Sequence, residues 1–225
     1  MRKILILITI LAALLISCGK KKLTKEQQHK MVYGAVLLTR NDFPYDRLPD
    51  KKDCDKCSVE VLSRDWDITD KKSATETLDI LLDEGTRGEV DLILPELKSP
   101  NALSGEYAEV AATYNNIRDA LVNDYGYTKE EVDNVKTISA WDYDRLINVA
   151  RFAYDAGYIT EEEMWSYIDK TVVKARNDYD SWKSYFAGVM LGRGITFSNN
   201  FSENKIVADK LLKDKNSPYN KFSFK

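Results

Sequence analysis

A mainly α fold, a single compact multi-helix domain with little or no β structure, is predicted for this 225-residue chain by three observations. Apolar residues recur at helical rather than alternating spacing along most of it. Ten Gly and five Pro are few beside thirteen Tyr and four Trp, which favours long helices over a turn-rich β sandwich. Two capping boxes, Thr128-Lys129-Glu130-Glu131 and Thr160-Glu161-Glu162-Glu163, mark helix starts where a hydroxyl and a carboxylate satisfy free backbone donors reciprocally.

The elements follow in order. Residues 1–17 have the pattern of a secretory signal: Arg2 and Lys3, then an apolar run from Ile4 to Ile16 broken only by Thr9. That run is too short to span a bilayer, which takes about twenty residues. The Leu15-Ile16-Ser17-Cys18 sequence resembles a bacterial lipobox, which implies cleavage before Cys18 and lipid (palmitate among the acyl chains) on its sulfur. Two or three chains make attachment stable, so the resemblance implies a membrane partner and a location outside the cytoplasm. Gly19 rather than Asp follows, which resembles an outer-membrane address if the cell is Gram-negative. An ordinary signal peptide cleaved nearby is the alternative. Residues 18–25, rich in Lys, read as a basic tether beside anionic headgroups or as a solvated spacer.

Residues 26–61 hold a helix from about Gln27 to Arg40 and then a Pro-containing loop with Cys54 and Cys57. This CxxC fits a local disulfide, a pair of free thiols, a redox pair or half of a metal site. Val59, Val61 and Leu62 alternate like a short strand. Residues 62–195 form the main helical body. Thr69 is placed to cap a helix reaching Glu84, with Leu78, Leu81 and Leu82 facing inward and Gly85 at its end. Leu92 to Pro100 reads as a linker or a short apolar turn, and Ser104 to Tyr125 as an amphipathic helix stopped by Gly126. Near residues 138–177 an αα-hairpin is predicted, because Gly157 follows an apolar-periodic run and Thr160 opens the next helix. Asp180 or Ser181 starts a further helix through Leu191. The extension 196–225 reads as a modest helix and a loose tail.

The segments Ala140-Trp141-Asp142-Tyr143-Asp144-Arg145, Gly157-Tyr158-Ile159-Thr160, Tyr179-Asp180-Ser181-Trp182 and Gly192-Arg193 resemble the C-terminal half of bacterial domain-of-unknown-function family 1266. Trp66-Asp67-Ile68 is similar to its opening segment, which usually has Trp-Gly. The resemblance covers roughly Leu62 to Ile195 and implies a helical fold in a bacterial lipoprotein; it implies no reaction.

On a wheel at about 100° per residue, Asp142 and Arg145 fall in the apolar arc with Trp141, Val149 and Phe152, while Asp144, Arg151 and Asp155 fall opposite, toward solvent. Arg193 is collinear with Trp182, Phe186 and Val189. Buried charges need partners. Asp142 reaches Arg145 one turn on, and either Arg can stack on Trp141 or Trp182. The plain reading is a satisfied ion pair that fixes helix register. But two Arg then face one Asp, so either a further carboxylate such as Asp65 or Asp67 completes the cluster of Asp142, Arg145, Arg193, Trp141 and Trp182, or an anionic ligand does, unless one of these charges is in fact exposed.

A net charge of −3 offers no basic footprint for nucleic acid. The sole histidine, His29, reads as a surface residue, and a single histidine excludes zinc sites that need two. No catalytic residue, metal ligand or cofactor is marked by a motif. The leading expectation is a lipid-anchored interaction or scaffold module with a protein partner. A binder of a small anion or a carboxylate-dependent envelope enzyme, and an immunity-type inhibitor of a toxin, are the alternatives.

Overall fold

The computed structural model describes residues 22–48, 57–99, 101–198 and 201–225. The signal segment, Cys18 and Cys54 lie outside them, as does the side chain of Cys57. The fold is all helical, and among the described residues the only β pairing is one bridge between Lys22 and Arg47.

Helices α1 (Lys25–Met31) and α2 (Ala35–Arg40) realise the predicted N-terminal helix, interrupted by a 3-10 turn at Val32–Gly34. The expected strand at Val59 is instead inside α3 (Cys57–Trp66). Leu62 is buried there while Val59 stays 38% exposed, as a one-sided helix requires. Helix α4 (Lys71–Asp83) buries Leu78, Leu81 and Leu82, and its cap is Asp70 rather than Thr69, in a capping box with Ser73. The expected linker after Leu92 is also helical: it belongs to α5 (Arg87–Leu97), which carries Pro95 in its last turn and buries Val90, Leu94 and Leu97.

Helix α6 (Ala108–Tyr125) ends at Gly126 in the left-handed conformation. Both predicted capping boxes are present, opening α7 (Lys129–Asp133) and α9 (Glu161–Asp178). The αα-hairpin is formed by α8 (Ser139–Asp155) and α9, and Gly157 turns the chain at φ +78°, a conformation that costs most L side chains about 1–2 kcal/mol. Ser181 caps α10 (Trp182–Phe197).

Helix α8 is the axis of the domain, contacted by α2, α3, α4, α9 and α10. From Ser139 to Ala153 every residue but Arg145 is buried. That corrects the wheel: Asp144 and Arg151 do not face solvent, because this helix has no solvent side. Two of its carboxylates instead cap other helices. Asp144 accepts from the backbone N–H of Val36 (3.0 Å) and Leu37 (3.1 Å), the open start of α2. In return Asp91 of α5 accepts from Ile138 N (2.8 Å) and Thr137 Oγ1 (2.6 Å), holding the start of α8. Capping normally comes from the residue just ahead of a helix; here it comes from across the core. Arg151 donates to the carbonyls of Pro44 (3.3 Å) and Arg47 (3.4 Å), and burial draws its guanidinium down to about 10.

The C-terminal segment is not a loose tail. Short helical turns from Phe201 to Lys221 bury Phe201, Leu211 and Tyr219, and residues 222–225 then run along the seam between α1 and α10. The carbonyls of Phe222, Ser223 and Phe224 accept from Trp182 Nε1 (2.7 Å), His29 Nε2 (2.6 Å) and Tyr33 Oη. His29 is therefore half-buried and stacked on Phe222 (5.4 Å, 15°), not a free surface residue.

Candidate anion-binding cleft

The five residues grouped by the sequence separate into three places. Asp142 sits in a closed cluster. Its carboxylate, fully buried, accepts from Thr86 N (2.9 Å), Arg87 N (3.1 Å), Arg87 Nη1 (3.0 Å) and Arg145 Nη2. Arg87 also donates to Leu81 O (3.1 Å) and Leu82 O (2.7 Å), so one guanidinium closes the end of α4 while Asp142 caps α5. Gly85 makes the approach possible: it stands at φ +57°, and a Cβ on it would enter the Asp142 carboxylate. Two Arg do face this Asp, but the second is Arg87 and not Arg193. The carboxylates expected to complete the cluster do not: Asp65 chelates Arg64 at 2.6 and 2.8 Å.

Trp182 lies elsewhere, stacked on Tyr219 (4.6 Å, 9°) and bonded to Phe222 O in the C-terminal seam.

Trp141, Arg145 and Arg193 come together on the wall of a cleft of about 270 Å³ between α3, α8 and α10. Trp66, Asn148, Phe152 and Phe197 line it too, and of these only Phe152 and Trp66 had a signal in the sequence, one by its place on the wheel and the other by the resemblance. Arg145 stands over the Trp141 ring at 4.8 Å and over Trp66 at 5.8 Å; Arg193 stands over Trp141 at 5.6 Å and over Phe197 at 5.3 Å. One indole thus serves two guanidiniums.

The two Arg are satisfied unequally. Arg145 gives Nη2 to Asp142 and to Thr86 Oγ1 (2.6 Å), but its buried Nε has no acceptor. Arg193 gives Nε to Asn204 Oδ1 (3.1 Å), which it shares with Arg40 (3.2 Å), and no carboxylate among the described residues lies within 4 Å of it. Burial and then the Arg40 charge pull the Arg193 guanidinium below its ordinary value, with Glu203 and Asp144 acting in opposition. Burial pushes Asp144 itself up to about 8, against its two backbone bonds, which weakens it as a counter-charge. Trp141, 2% exposed, adds an indole N–H without an acceptor. Nearly all buried polar atoms in native proteins find partners, so this wall is a concentration of unmet donors and positive charge. Among the described residues no group of three or more His, Cys, Asp or Glu is placed to hold a metal ion, and no helix is long and apolar enough to cross a membrane.

Fold and cleft together define an all-α domain built on one buried helix with an arginine-lined recess beside it. The chain belongs to the family described as protein of unknown function DUF1266, whose model matches residues 61–224 and so runs on through the C-terminal seam. No curated protein and no solved structure matches it.

Proposed function

We propose that this is a lipid-anchored protein of the cell envelope whose helical domain binds a small anionic ligand in the Trp141 cleft. The observation that carries the reading is Arg193: a side chain only 8% exposed, stacked on Trp141 beside a second guanidinium, with an amide oxygen and no carboxylate as its partner. A charge so placed is costly to leave unmatched, and an anion entering the cleft matches it. Large apolar side chains line the recess, which suits a ligand with an apolar part. A scaffold role would draw on exposed aromatic faces, whereas Tyr33, Tyr114, Trp141, Tyr179, Trp182 and Tyr185 are all buried. Support therefore lies with the cleft.

The anchor rests on Leu15-Ile16-Ser17-Cys18 alone. Cys18→Ser is expected to move the protein from the detergent phase to the aqueous phase on partitioning of cell extracts; unchanged partitioning overturns the anchor. For the cleft, calorimetric titration with 3-phenylpropionate is expected to show binding that Arg193→Met weakens at least about tenfold, the size of one lost charge-assisted bond. Undiminished binding by that variant, or no binding by the unaltered chain, overturns the anion reading.

A further inference from the structure

We infer that the occupant of the cleft is a small hydroxycarboxylate with an apolar body, an inference that rests on the anion-binding reading. Asn148 carries it. This side chain lines the cleft and is 3% exposed. Its Nδ2 donates to Gly34 O (3.1 Å) and Asp144 O (2.8 Å), and because both partners are carbonyl oxygens the amide has only one orientation that satisfies them. Oδ1 is then an acceptor with no donor, buried on the same wall as the unmatched Nε of Arg145 and Nε1 of Trp141. The cleft consequently asks for two things at once, a negative group for the guanidiniums and a hydrogen-bond donor for Asn148.

A carboxylate with a neighbouring hydroxyl supplies both. A protonated amine would supply the donor as well, but it would add a third positive charge to those of Arg145 and Arg193, and Asp65 at the cleft is already engaged by Arg64. A neutral hydroxyl is the donor that the field allows. Size limits the remainder: about 270 Å³ is room for about nine waters at ~30 Å³ each, enough for one ring or a short branched chain. The three unmatched atoms are shielded from water, so an occupant of the cleft reaches them only with a shift of the side chains around them.

The test uses the purified full chain and 3-phenyllactate against 3-phenylpropionate, which differ only in the hydroxyl. Calorimetry is expected to give tighter binding of 3-phenyllactate by about tenfold, the scale of one hydrogen bond to an otherwise unpaired acceptor. Asn148→Ala is expected to bring the two affinities to within about twofold, and if that variant fails to fold, the ratio in the unaltered chain decides. Equal affinity for the two acids overturns the hydroxycarboxylate and leaves the anion site standing. Tighter binding of L-phenylalanine than of 3-phenyllactate overturns the choice of hydroxyl. Absence of binding by every probe overturns both this inference and the reading beneath it.

Discussion

Arg145 belongs to two polar regions on α8 that solve the same electrostatic problem in opposite ways. On one side Asp142 takes four donors from two Arg and two backbone amides, and every charge has a partner within the chain. On the other, Arg193 has an amide oxygen and no carboxylate as its partner, and Arg145 Nε and Trp141 Nε1 are buried donors that nothing in the described residues accepts. Buried charge by itself therefore does not mark a functional site. In this pair the Asp142 cluster has its charges matched by the chain, and the cleft wall does not.

Four expected outcomes test that contrast. The largest is Asp142→Ala, which strands Arg87, Arg145 and the start of α5 together; a loss of about 3–5 kcal/mol in chemical denaturation is expected, and a loss below 1 kcal/mol would show that the cluster is not a structural centre. Gly85→Ala comes next. The φ of +57° costs about 1–2 kcal/mol and the new Cβ displaces the Asp142 carboxylate, so thermal melting is expected to reveal a loss of about 2 kcal/mol or more.

The third concerns pH. Burial raises Asp144 in the folded chain to about 8 from 3.8. Between those values the folded state keeps a proton that the unfolded state has given up. Its contribution is complete below about pH 4 and is lost as pH rises through 8, with a slope of about 1 kcal/mol per pH unit near neutrality. Urea melts across that window should show stability falling with pH, and Asp144→Asn should flatten the curve; an equal slope in the variant would assign the effect to other groups. The smallest is the effect of Arg193→Met on stability. Since Arg40 still holds Asn204, the loss is expected to stay under about 1 kcal/mol even as anion binding weakens at least about tenfold. A large loss would place Arg193 with Asp142 on the structural side.

Local signals in the sequence were reliable where the structure is local. Thr128, Thr160 and Gly157 specify caps and a turn within four residues of themselves, and the hairpin followed. Val59, Val61 and Leu62 misled because three residues do not distinguish a period of two from one of 3.6, and Pro95 disguised α5 because proline near a helix end looks like a break. The wheel for α8 identified Trp141 and Arg145 but put Asp144 and Arg151 in water, since it assumes a helix with two sides. Capping across the core escaped altogether: Asp142 and Asp144 lie 55 and 107 residues from the amides of Arg87 and Leu37 that they hold. The cleft was legible through Arg145, Arg193 and Trp141, with Phe152 on the wheel and Trp66 by the resemblance; Asn148 and Phe197 carry no signal until the helices pack together.

The seam between α1 and α10 makes two distant stretches of the chain depend on each other. His29 and Tyr33, among the earliest described residues to leave the ribosome, bond to Ser223 and Phe224, among the last. Without residues 222–225, Trp182, Tyr33 and His29 would line an unfilled aromatic trough. The stretch Phe222-Ser223-Phe224 thereby acts as a wedge that locks α1 onto α10, so that a cut or substitution in it is felt at a residue 194 positions away in the sequence.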